Sequence, residues 1–327
     1  MRKSVLSLLS VPALMAACGL TLPALRATMA PRSMPAGPSP HQFVSPGGAH
    51  HEPIMRLLGN LTDTRIAESS GLTASRRTPG VLWTHNDSGD GPYLYALDRK
   101  GRTLARYTVP NATNVDWEDI AIGPGADGKP ALYIGDIGDN SHHRDDTAVY
   151  RIPEPKVDAS QTAQEAVTAP AEKLPYVYPD GYHDAETLMV HPKTGEVFLV
   201  TKESSGVSGV YAFLMPLTPG IQTTLRRVGT LRFASSFTGT LGLADRLATA
   251  GDIAPDGSRL VVRTYLRAYE WAIAPGQSVA GALAGKPRWL ILPFTRQGES
   301  ICYRLDGRAW LLTSEGASSP LYEILLP

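Results

Sequence analysis

Residues 116 to 140 read D-W-E-D-I-A-I-G-P-G-A-D-G-K-P-A-L-Y-I-G-D-I-G-D-N, and carboxylates crowd both ends of the stretch. Asp116, Glu118 and Asp119 lie about a short apolar run, Ile120 to Ile122. Asp136, Asp139 and Asn140 follow a second run, Ala131 to Ile134. The segment between them, Gly123 to Pro130, is dense in Gly, Pro and Asp and reads as a turn. A hairpin of this kind brings its two open ends together. Carboxylates gathered on one edge raise each other's pKa unless something positive sits among them. Carboxylate and amide oxygens are the hard donors that Ca²⁺ or Mg²⁺ takes, although G-D-I-G-D-N does not have EF-hand spacing.

The elements that must position these groups recur along the chain. Each repeat opens on a small or polar residue and an acid, continues into an apolar strand, turns on Gly or Asp, and returns through a second apolar strand. The repeats begin near Glu68, Glu118, Glu186, Asp252 and Glu299, at intervals of 50, 68, 66 and 47 residues. Weaker strand pairs fill the spaces between them. The last strand, Leu321 to Leu326, lacks a following partner, and Met55 to Leu58 can supply one. Four strands per repeat, with an N-terminal strand completing the final sheet, predict an all-β protein: a closed β-propeller. Five blades account for the repeats, and six is the alternative, since the two long intervals have room for another.

In such a ring the innermost strand of each blade runs along the channel and the second returns to the same face. Residues just before the first strand and just after the second therefore meet at one funnel, a common ligand-site geometry. The predicted metal ligands are Glu68, Glu118, Asp119, Asp136, Asp139 and Glu186. Asn86, Asp87, Lys202, Arg263 and Glu299 are predicted to meet a ligand. In G-Y-H-D-A-E, His183 and Asp184 form a candidate base and its carboxylate partner. Each acid taken singly has a structural alternative, because it can hold its own loop by accepting backbone N–H groups. The collection is harder to explain that way.

Met1-Arg2-Lys3 followed by an apolar run to Ala17 has the form of an export signal, too short to span a bilayer as a mature helix. L-M-A-A-C-G resembles a lipobox ending at Cys18, while cleavage near Ala27 or Ala30 is the ordinary alternative. The domain reading is a signal at 1–18, a Pro-rich linker at 19–53, and one propeller at 54–327. The expected location is the cell envelope, lipid-anchored or periplasmic, or the medium. Lys plus Arg and Asp plus Glu each total 31, so no net field recruits nucleic acid or an anionic membrane. A lipid anchor would be the sole membrane contact, and a monomer is expected. Of the two cysteines, Cys302 sits in an apolar strand and reads as a buried, inert thiol.

E-S-S-G-L at 68–72 and D-W-E-D-I at 116–120 resemble the blade-opening motifs of the SdiA-regulated family of exported bacterial propellers. They are also similar to those of the esterase-like phytase propellers. The resemblance implies a propeller and export more than any activity. The metal-dependent lactonase propellers bind one divalent ion through Glu, Asn and Asp, residue types present here without a motif-level match. The expected function is a binding module that holds a divalent cation, with Ca²⁺ favoured, and a small polar ligand or a cell-envelope component. A metal-dependent hydrolase of an ester, lactone or phosphoester is the alternative.

Overall fold

The computed structural model describes residues 43–44, 50–51, 53–161 and 163–327, all within one compact unit, Pro38–Pro327. Five antiparallel blades form the ring. Their inner strands are Ser69–Ala74, Trp117–Pro124, Ala185–Val190, Ala248–Ile253 and Ser300–Tyr303. Each pairs with the next strand in sequence: Leu82–Asn86, Pro130–Asp136, Val197–Thr201, Arg259–Thr264 and Ala309–Thr313. The final blade is completed by Met55–Asn60, which pairs antiparallel with Pro320–Leu325. An N-terminal strand therefore closes the ring, and closure removes the exposed end sheets that favour aggregation.

The strands are apolar on both faces because each sheet is packed between two neighbours. Side chains along a strand alternate between faces, so one strand feeds two cores. In Pro130–Asp136, Leu132 and Ile134 pack towards blade 1 with Trp83 and Trp117. Ala131 and Tyr133 of the same strand pack towards blade 3 with Val197 and Tyr211. Cys302 lies fully buried between blades 5 and 1, and burial pushes its thiol well up. That agrees with an inert role.

The long intervals hold no sixth blade. Gln164–Val167 runs parallel to Thr103–Thr108 at the outer edge of blade 1. Thr223–Thr224 runs parallel to Glu172–Val177 at the edge of blade 2. Among the described residues the helices are Gly239–Ala244 and Val279–Leu283. Part of the stretch read as linker is paired. Phe43–Val44 and His50–His51 form a short ladder that joins blade 4 through Val44 and Trp289. The unpaired outer strand of blade 4 offers free backbone groups, which explains the attraction. The stretch read as a signal and most of the stretch read as linker lie outside the described residues.

Candidate metal centre

A shared irregularity sets the geometry of the funnel. In blade 1, Ser69 pairs with Asn86 and Gly71 with His85, so Ser70 is skipped. Glu118, Glu186 and Thr249 are skipped in the same way in blades 2, 3 and 4. Blade 5 follows suit. Ser300 pairs with Thr313, and Glu315 N–H donates to Gln297 O at 2.9 Å, just as Asp87 N–H donates to Glu68 O and Lys202 N–H to Asp184 O. Glu299 therefore occupies the skipped position. A β-bulge re-aims its extra residue out of the normal alternation. The five bulges thus present Ser70, Glu118, Glu186, Thr249 and Glu299 as one equivalent set, three of them buried carboxylates.

Asp87, Asp116 and Glu118 each offer an oxygen, and these oxygens lie within 4.8 Å of one another. Asp87 comes from the end of the second strand of blade 1. The other two come from the opening of blade 2. Ser70 Oγ donates to Glu118 Oε2 at 3.4 Å. Gly138 faces the trio: a Cβ built there would stand 2.4 Å from both Asp116 Oδ2 and Glu118 Oε1. The second oxygen of buried Glu186 lacks a protein partner, while its first is paired with Lys202.

Burial pushes Asp87 up to about 8, with Asp116, Glu299 and Glu68 adding to the rise. Asp116 is pushed up to about 6 by burial and then by Asp184, against the pull of Arg144. Burial, then Asp87 and Asp116, hold Glu118 well above the usual carboxylate range, and Lys202 opposes them. At the blade 5 side, burial and then a hydrogen bond shared with Glu299 push Glu315 up to about 11. Tyr265 OH donates to Glu299 Oε1 at 2.8 Å, and Lys202 Nζ lies 5.7 Å from the Tyr265 ring centroid. One acidic mouth therefore draws on blades 1, 2, 3 and 5. Its donors are all carboxylate oxygens, and the trio's close approach, the room kept by Gly138 and the orphaned Glu186 oxygen fit a hard divalent cation.

A pH dependence follows. A carboxyl whose folded pKa is raised stabilises the fold fully below its unfolded value, near 3.8, and that contribution is lost as pH rises through the folded value. Metal-free protein should melt at progressively lower temperature from about pH 5 to about pH 9, as Asp116 and then Asp87 ionise. Carboxylates with lowered pKa, such as Asp98 and Asp306, act oppositely but below that window. Calorimetry of chelator-stripped protein across this range measures the slope. A melting temperature that rises over the same range would contradict it.

The other predicted site residues take different places. Asp119 is fully buried. Its Oδ1 accepts Ile120 N–H and its Oδ2 accepts Leu188 N–H at 3.0 Å and Gly251 N–H at 3.2 Å, so it straps blades 2, 3 and 4 together. Asp139 accepts the N–H groups of His143 and Arg144 and holds its own loop. Asp136 accepts Asp116 N–H and pairs with Arg144 at 2.9 Å, positioning the trio instead of joining it. Asn86 joins Glu68 N–H to Arg65 O, and Glu68 is exposed at the rim. Arg263 is buried beneath Gly298 and donates to the carbonyls of Thr264, Ser300 and Tyr265. Burial lowers its guanidinium to about 10.

The His183 ring meets Asp180 and Tyr211 OH, each at 3.1 Å, and Glu203 at 3.6 Å. Asp184 is not its partner; that carboxylate accepts Asp139 N–H at 2.9 Å. Adjacent residues can diverge in this way because each follows a different loop. Asp116 and Gly138 carry the centre without a sequence signal beyond their place at the hairpin ends. Asp87, expected to meet a ligand, stands beside Asp116 and Glu118.

Fold and site together define a five-bladed β-propeller with an acidic funnel at one end of its ring. Among solved structures, a gluconolactonase from Xanthomonas campestris aligns over 93% of this chain and 100% of its own, at 12% identity and a TM-score of 0.47. The WD40 repeats of RRP9 align over 84% of this chain and 97% of their own, at 11% identity and a TM-score of 0.44. Both are propeller-like comparisons too distant to carry a functional argument. No family model and no curated protein matches the sequence. The likeness to the SdiA-regulated and esterase-like phytase propellers accordingly rests on two motifs.

Proposed function

We propose that the protein is an exported binding module whose funnel holds a divalent cation through Asp87, Asp116 and Glu118, with a small polar ligand or cell-envelope component beside it. The observation that carries this reading is the close approach of three carboxylate oxygens around a glycine that leaves them room. Ca²⁺ is favoured because every donor is a hard oxygen. When bound, the ion would supply positive charge among repelling carboxylates and an electrophilic point for a ligand oxygen. Lys202, held by Glu186 at the same mouth, adds a cation for an anionic ligand group. The module acts as a monomer and meets the membrane only through a lipid anchor.

Because a cation that binds only the folded state stabilises it by mass action, added Ca²⁺ should raise the melting temperature of chelator-stripped protein. The shift should correspond to about 3 kcal/mol at a hundred times the dissociation constant. Unchanged melting with Ca²⁺, Mg²⁺ and Mn²⁺ would remove the proposal. A second reading, hydrolysis of an ester, lactone or phosphoester, is favoured by one feature. A cation held by the close-set oxygens of Asp87, Asp116 and Glu118 would polarise a carbonyl or phosphoryl oxygen and activate a water. Turnover on ester, lactone or phosphoester panels that disappears in Asp87→Asn would select it.

A further inference from the structure

The opposite end of the ring carries a separate cavity of about 540 Å³ between blades 1 and 5. Inner strands open at the funnel, so the turn after Ala74 and the turn after Arg304 lie at the far end. The cavity floor is apolar and comes from both blades: Ala74, Val81 and Leu82 on one side, Leu311 on the other. Leu305, an exposed apolar residue, extends it towards solvent.

Charge at this cavity comes from a small arginine–carboxylate network. Arg99 and Arg304 line it, and both donate to the same oxygen of buried Glu323, at 2.9 Å and 2.7 Å. Arg56 approaches the other oxygen at 3.8 Å. Arg304 also engages both oxygens of Asp306. Arg99 and Arg304, which line the cavity, thus face Glu323 and Asp306, and Arg56 joins the same network outside the lining. Arg99 is half exposed and turns one edge to its single carboxylate partner, leaving planar donor capacity that suits a further carboxylate. A volume of this size lies in the range of small-molecule sites, which combine an apolar lining with a few placed polar groups.

We propose that this cavity binds an amphiphilic monocarboxylate, its carboxylate against Arg99 and Arg304 and its apolar body along Ala74, Val81, Leu82 and Leu311. The proposal is independent of the funnel and of any cation bound there. An anion is selected by the open donor edge of Arg99, and an apolar body by the floor. An uncharged amphiphile of equal length gains the floor alone, and a cationic one also meets repulsion.

Sodium decanoate, titrated below its micelle concentration into the full chain by calorimetry, is the probe. It should bind at one saturable site, with decanamide about tenfold weaker and decyltrimethylammonium not bound, since a charge-assisted hydrogen bond accounts for roughly that factor. Arg99→Ala should weaken decanoate about tenfold, because Glu323 keeps Arg56 and Arg304 and the fold loses little. Leu305→Glu should weaken it at least about tenfold by placing a like charge on the rim, whereas Leu305→Gln should lose much less. Melting temperatures should stay within about 2 °C for all three variants. Absence of saturable binding, equal binding of the three amphiphiles, or unchanged affinity in both Arg99→Ala and Leu305→Glu would overturn the proposal.

Discussion

Asp119→Ala is expected to destabilise the protein by about 2–6 kcal/mol, while the neighbouring substitution Glu118→Gln leaves the metal-free fold as stable or more so. Removing the Asp119 carboxylate orphans the amides of Leu188 and Gly251 in two other blades, and each buried unsatisfied donor costs about 1–3 kcal/mol. Asp119→Asn keeps one oxygen and should fall between. Glu118 has no such amide partners. Its burial beside Asp87 and Asp116 is unfavourable when ionised, so the amide relieves repulsion. Under the proposed function, Glu118→Gln should instead weaken Ca²⁺ binding while Asp119→Asn leaves it intact. Urea unfolding and calorimetric titration of both variants measure the two effects. Equal loss of stability at both positions, with cation binding untouched, would mean that both acids are loop anchors.

Gly138→Ala should reduce Ca²⁺ affinity by more than about a hundredfold. The new Cβ would stand 2.4 Å from an oxygen of Asp116 and an oxygen of Glu118, so at least one donor must move away. The backbone at Gly138 is not in the left-handed region, so alanine is admitted conformationally and the effect is one of space. Displacing at least one carboxylate donor from a cation is worth more than about 2.7 kcal/mol by that fold-change. Thermal melting without metal should change by far less than the binding does. The contrast separates a collapsed ligand set from a misfolded blade. Unaltered affinity would place any cation elsewhere in the funnel.

The acidic funnel also explains why the two ends of the ring differ in chemistry. Bulges at the opening of the inner strands turn the skipped side chains out of the pleat, which gathers Glu118, Glu186 and Glu299 at one end. At the other end the cavity between blades 1 and 5 keeps an apolar floor edged by arginine.

Much of the architecture was legible in the sequence because it rests on local rules. Strands such as Val197–Thr201 are continuous apolar runs, their turns carry Gly and Asp, and the unpaired final strand required a partner, found at Met55–Asn60. The convergence of hairpin ends also follows locally, so the carboxylate-rich mouth could be placed before its geometry was known. Which acids face one another could not. Glu118 and Asp119 are adjacent and chemically alike, yet a one-residue bulge sends the first to the funnel and the second across the ring. The partners that fix Asp119 lie 69 and 132 residues further along the chain. Asp87 meets Asp116 and Glu118 only because blades 1 and 2 pack side by side, and Arg263 is buried because blade 5 covers it. Period and turn chemistry act within a blade, whereas a buried carboxylate's role depends on which neighbouring blade supplies its hydrogen bonds, and closure of the ring alone decides that.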